Sequence, residues 1–64
     1  MIYRDKAGNT HRIIEDYYGC RDKIIAPSGR WWTSVWCERW QVGAQSTLDK
    51  KAARYGWEKV EDSK

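Results

Sequence analysis

The sequence predicts an α+β fold: a small antiparallel β-sheet of three to five strands packed against one helix late in the chain. Three observations carry this reading. Turns marked by Gly, Pro and Asn divide residues 1–43 into short segments rich in Ile, Thr, Tyr and Trp, the residue types that suit a pleated, half-buried surface. After Gly43 the period changes, and Leu48, Ala52 and Tyr55 recur at the i, i+4, i+7 spacing of one helical face. The length of 64 residues allows a single domain, 1–64, without repeats, low-complexity tracts or linkers.

Each element follows from local chemistry. Ile2–Arg4 is a short strand, closed by Asp5-Lys6-Ala7-Gly8-Asn9, a type I turn with Gly where positive φ is tolerated. A second strand runs from about Thr10 to Tyr18, and Gly19–Asp22 reads as the next turn. Lys23-Ile24-Ile25-Ala26 is a third strand, 23–26. Ala26-Pro27-Ser28-Gly29 reverses the chain because Pro presets φ at the second position. A fourth strand, 30–42, begins at Arg30. Its length exceeds the usual strand of about 5–6 residues, so a bend or tight turn is expected near 37–39. Period two places Trp32, Ser34, Trp36, Glu38, Trp40 and Val42 on one face. Trp31, Thr33 and Val35 fall on the other, which is expected to meet the helix. Ser46 opens a helix over 46–55, with Ser46-x-x-Asp49 as a capping box and Gly56 as the left-handed C-terminal cap. Residues 57–61 alternate and suit a short C-terminal edge strand; 62–64 are expected to fray.

Twelve basic and nine acidic residues give a net charge of +3, with a pI near 9.0 and a mean hydropathy of −0.93. Such a balance is milder than that of a dedicated duplex-DNA binder. No apolar run approaches the roughly 18 residues of a membrane span, and Met1–Lys6 lacks the apolar stretch of a signal peptide. The chain is therefore expected in a cytoplasm, as a monomer or small homo-oligomer with no membrane partner. Cys20 and Cys37 form no Cys-x-x-Cys and have no His at ligand spacing, so free, half-buried thiols are expected.

Catalytic parts are missing from the sequence. His11, the only histidine, reads as a solvated residue on a strand just past a turn. Glu15 and Asp16 are neighbours on a strand, so they point to opposite faces and cannot share a proton. Phosphate-binding, nucleophile-elbow and dinucleotide motifs are absent. One His, two distant Cys and scattered acids do not make a metal site. The expectation is a protein that is not an enzyme, with no catalytic residues, no metal and no cofactor.

The aromatic and basic side chains between Arg30 and Trp40 are the constellation with chemistry in it. Trp, Tyr and Arg dominate binding hot spots because they bury large area at low entropy cost. Arg30, Trp32, Trp36, Arg39 and Trp40 are therefore the candidate partner-binding residues, with Trp31 and Trp57 assigned to the core. The same side-chain types also stack on bases and contact phosphates. In that alternative, Arg30, Arg39, Lys50, Lys51 and Arg54 would be the nucleic-acid contacts. The stretch from Arg30 to Trp57, with its strands and a helix opening Ser46-Thr47-Leu48-Asp49, loosely resembles the arm-type DNA-binding domains of tyrosine recombinases. It is equally similar to small phage inhibitors that pack strands around such a helix. Both likenesses cover under half of the chain, and neither transfers a residue's role. The functional expectation is a small non-catalytic protein-binding module, a phage or mobile-element inhibitor that occludes a host or defence protein. The alternative is a sheet-type DNA or single-strand binder.

Overall fold

The computed structural model describes residues 1–60. Five strands and one helix follow in the order β1 (Ile2–Arg4), β2 (Thr10–Asp16), β3 (Gly19–Ile25), β4 (Trp31–Thr33), α1 (Gln41–Tyr55) and β5 (Glu58–Val60). All strand pairings are antiparallel, in the spatial order β4-β3-β2-β1-β5. The fold is thus α+β, with a late helix and a short C-terminal strand at one edge of the sheet. The expected strand extends to residue 61, which lies outside the described residues, as do 62–64. No helix among the described residues is long and apolar enough to cross a membrane.

The turns at Asp5–Asn9 and Ala26–Gly29 form as the sequence predicts. Asp5 Oδ1 accepts hydrogen bonds from the backbone N–H groups of Ala7 and Asn9, each at 2.9 Å. The turn between β2 and β3 is displaced from its expected place. It lies at Tyr17-Tyr18, where Asp16 Oδ1 accepts from the Tyr18 N–H at 2.9 Å, and Gly19–Asp22 belongs to β3. Gly19 is required at the first position of that strand. It holds φ +133°, and a Cβ there would stand 2.6 Å from the Glu38 carbonyl oxygen that crosses it.

The expected strand 30–42 is cut to Trp31–Thr33, and Ser34 is the cause. Its Oγ, not a backbone carbonyl, accepts the Asp22 N–H at 3.1 Å and donates to the Trp36 carbonyl at 2.9 Å. A side chain that takes over ladder hydrogen bonds ends the ladder. The chain then touches β3 once more, through a two-bond bridge between Cys20 and Glu38, and enters the helix at Gln41.

The helix starts earlier than Ser46, so the capping box does not exist. Trp40 is the N-cap residue and makes no side-chain capping bond. Ala44, Leu48 and Ala52 form the buried stripe at i, i+4, i+8, one turn ahead of the stripe expected; Tyr55 is 53% exposed. Two alanines let the helix lie close to the sheet, and Leu48 fills the centre, fully buried beside Tyr3, Ala52, Ile13 and Trp57. Asp49 has another task. Its Oδ1 accepts from the Tyr3 hydroxyl at 2.7 Å and from Gln45 Nε2 at 2.9 Å, which joins β1 to the helix. Burial, and then the Asp49 carboxylate, push the Tyr3 hydroxyl up to about 12. Gly56, at φ 69°, caps the helix as expected, and both its N–H and that of Trp57 end on the Ala52 carbonyl.

Leu48→Ala is expected to cost about 2–5 kcal/mol, enough to unfold a chain of this size. Tyr55→Ala, on the exposed flank of the same helix, should cost far less. Urea denaturation of the two variants beside the wild type checks the placement of the stripe.

Candidate functional site

The covered face of the sheet is set by register. Tyr3, His11, Ile24 and Trp32 are successive Cα partners across β1 to β4, so they share one face, the one beneath the helix. Trp32 therefore stands on the helix side, the reverse of the expected phase. Trp31, assigned to the core, is 58% exposed on the opposite face, and Val35, expected to meet the helix, is fully exposed. Trp57 is half-buried, as its core assignment requires.

His11 is not a solvated residue. It is buried, with Nδ1 2.7 Å from Asp22 Oδ2 and Nε2 2.7 Å from Asp5 Oδ2. The Trp57 indole stacks on the imidazole at 4.1 Å between centroids and 25° between planes. Burial alone would lower the proton affinity of this ring. The hydrogen bonds and charges of Asp22 and Asp5 outweigh it and hold the histidine above its ordinary value. Burial alone would raise Asp5; the bonds it accepts from His11, Asn9 and Ala7 outweigh burial and hold it below the usual carboxylate range. Asp22 is 2% exposed, and its Oδ1 has no hydrogen-bond partner among the described residues, so the His11 ring on Oδ2 is its main compensation. Both ring nitrogens are engaged by carboxylates, so neither is free to take a proton from a substrate.

This triad forms the floor of a cavity of about 340 Å³. Trp32, Val35 and Trp36 stand around it, with Ser34 and Lys51. The structure thus brings Trp32 and Trp36 to one cavity, as the sequence grouped them. Trp40 stands apart at the helix N-terminus, 67% exposed, under the Arg39 guanidinium at 5.1 Å. Arg30 and Arg39 are exposed but not together. Arg30 bonds to Ala26 and the neighbour of Arg39 to Cys20, positions six residues or about 20 Å apart along β3. Lys50, Lys51 and Arg54 line a shallow hollow with Tyr55 along the helix, and Lys51 also reaches the cavity that holds Trp32 and Trp36. Arg30 and Arg39 line neither hollow, so the five cations of the nucleic-acid alternative are not gathered in one.

Sequence reasoning missed Asp5, His11 and Asp22 as a unit. The available signal was alternation: Cys20-x-Asp22-x-Ile24 places an acid in phase with two core residues, and a buried acid demands a cation. Among the described residues no three His, Cys, Asp or Glu side chains are placed to hold a metal ion. Both cysteines are free, but unequally: Cys20 is buried and Cys37 exposed. Burial, with the nearby charges of Glu15, Cys37 and Asp16, raises the Cys20 thiol. Comparison of this chain with models of known families, with curated proteins and with solved structures finds no match.

Three outcomes are expected from two experiments. A histidine raised on folding contributes fully below its unfolded value of about 6.5 and loses that contribution as pH rises through the folded value. Asp5 and Asp49 are lowered, so they contribute above about 3.9 and lose it as pH falls through their folded values. Folding free energy should therefore be highest between about pH 4 and 6.5 and decline on the alkaline side. Urea titrations across pH measure it. His11→Ala should cost about 3–5 kcal/mol by leaving two carboxylates buried without their cation. In the second experiment, native iodoacetamide treatment should add one group quickly, at Cys37, and a second only in denaturant; intact mass reads the result.

Proposed function

We propose that the chain is a non-catalytic protein-binding module that acts by occlusion, as a small inhibitor does, through the segment from Trp31 to Val42. One observation carries this reading. Trp31, Trp32, Val35, Trp40 and Val42 are all exposed, and they crowd into twelve consecutive residues of a chain this small. Water is a poor neighbour for that much exposed apolar side chain, even though Trp31 and Trp32 face opposite sides of β4 and Trp40 stands apart at the helix N-terminus. The surrounding chemistry suits a protein partner. Indoles supply rigid contact area, Arg30 and Arg39 supply polar rims at the two ends of the segment, and β4 offers an unpaired strand edge. Relative to the sequence expectation, Trp31 joins the set and Trp36 serves as a cavity wall.

The test is capture of a binding protein from nuclease-treated lysate, purification of that protein, and measurement of its affinity for variants. Trp40→Ala and Trp32→Ala should each weaken binding by at least about thirtyfold, the effect of losing a hot-spot anchor of about 2 kcal/mol. Trp40→Ala should leave thermal stability nearly unchanged, because its side chain caps nothing. Unchanged affinity in both variants would overturn the reading.

A further inference from the structure

The sheet ends in two edge strands of three residues each, and they differ in chemistry. β5 carries Glu58 and Lys59, charges of the kind that keep an edge from pairing. β4 is Trp31-Trp32-Thr33, without a charge or a proline. The ladder shows which of its backbone groups are spare. The Ala26 N–H donates to the Arg30 carbonyl at 2.7 Å and the Ser34 N–H to the Asp22 carbonyl at 2.9 Å. Between them Trp32 stands opposite Ile24. Bonded positions alternate along an antiparallel strand, so Arg30, Trp32 and Ser34 turn their backbone toward β3, and Trp31 and Thr33 turn theirs outward. The outward N–H and C=O groups of these two residues face no strand among the described residues.

A second copy of the chain supplies the matching set. A two-fold axis through Trp32 places Trp31 opposite Thr33 of the other copy, and every outward group of both strands is then bonded. An axis through Trp31 or Thr33 instead would leave half of them unpaired. Trp32, 44% exposed, meets Trp32 of the other copy at a non-hydrogen-bonded position, the closer kind of cross-strand pair and one that favours two aromatic rings. On the opposite face Trp31, 58% exposed, lies beside Thr33 of the other copy. No like charges face each other in this register. Arg30 comes opposite Ser34, and Lys23 keeps to its own Trp31 ring, with Nζ 4.6 Å from the centroid. Val35, fully exposed, comes in line with Gly29 of the other copy, around which a Cβ would find nothing within 4 Å.

We infer that the chain pairs with a second copy of itself through β4, which joins the two sheets into one across a two-fold axis at Trp32. The four indoles at the seam bring roughly 400 Å² of exposed surface, at about 200 Å² for a whole ring. That is the seam of a weak, reversible dimer and not of an obligate one. Trp40 and Val42 lie beyond the end of β4 and stay open to a different protein, so the inference does not rest on the protein-binding reading.

Sedimentation equilibrium of the full chain alone tests it, and no other protein enters the measurement. Between about 10 μM and 1 mM the wild type should show a monomer–dimer equilibrium with Kd on the order of 100 μM. Thr33→Pro removes an outward N–H and no bond to β3, a place where an edge strand tolerates proline. It should keep the wild-type circular dichroism and associate at least tenfold more weakly. Cross-linking reads the register without that variant. Trp32→Cys/Cys37→Ser should form a covalent dimer on copper-phenanthroline oxidation, because Cα atoms about 4.5 Å apart accept a disulfide. Trp40→Cys/Cys37→Ser should stay monomeric under the same treatment. Three results would overturn the inference: a wild type that remains monomeric to about 1 mM, a folded Thr33→Pro that associates as well as wild type, or cross-linking at position 40 in place of position 32.

Discussion

The buried histidine is the constraint on which the other parts depend. Its two nitrogens reach the β1–β2 turn through Asp5 and the neighbouring strand through Asp22, and its ring face carries Trp57 from beyond the helix. One side chain on β2 therefore ties together one turn, the middle of the sheet and the helix exit. In a chain whose core has one fully buried large aliphatic side chain, Leu48, a polar centre of this kind sets geometry that apolar packing alone would leave loose. It also carries a liability. Two carboxylates and an imidazolium are comfortable only together, so removal of any one leaves the others buried and unmatched.

The internal use of acids reshapes the exterior. Asp5, Asp22 and Asp49 satisfy His11 and Tyr3, and Asp16 and Glu58 are paired on the open sheet face. What faces water is enriched in arginine, lysine and indole. The Arg12–Lys23 pair is the clearest case: its position is set by strand register, and only Lys23 has a neighbour that takes its charge, the Trp31 ring. The exposed aromatics gather on a different part of the molecule, along β4 and the loop that leads to the helix. A small sheet with only one face covered can thus present two chemically distinct surfaces: an apolar edge and a basic face.

Much of the fold was legible because its signals are local. The turn at Asp5–Asn9, the Pro27 turn, the Gly56 cap and the Leu48–Ala52 spacing each depend on residues within a few positions of one another, and all four appear as read. The candidate site was legible in part. Trp32 and Trp36 belong together, as period two suggested, although on the helix side of the sheet. Trp40 separates from them because the strand ends at Ser34. The Ser46-x-x-Asp49 pattern misled because Asp49 answers to Tyr3, forty-six residues away, and not to the helix end beside it.

The amino-acid sequence by itself determined the fold class, the order of the elements, most of the turns and the presence of an aromatic and basic segment. These follow from propensity, period and turn chemistry, which act over a few residues. Tertiary structure alone decided which face of β4 lies inward, where the helix begins, that His11 is buried between two carboxylates and that Arg12 stands opposite Lys23. Each of these is fixed by a partner distant in sequence, through strand register and the need to match every buried charge, and no local pattern can encode that partner.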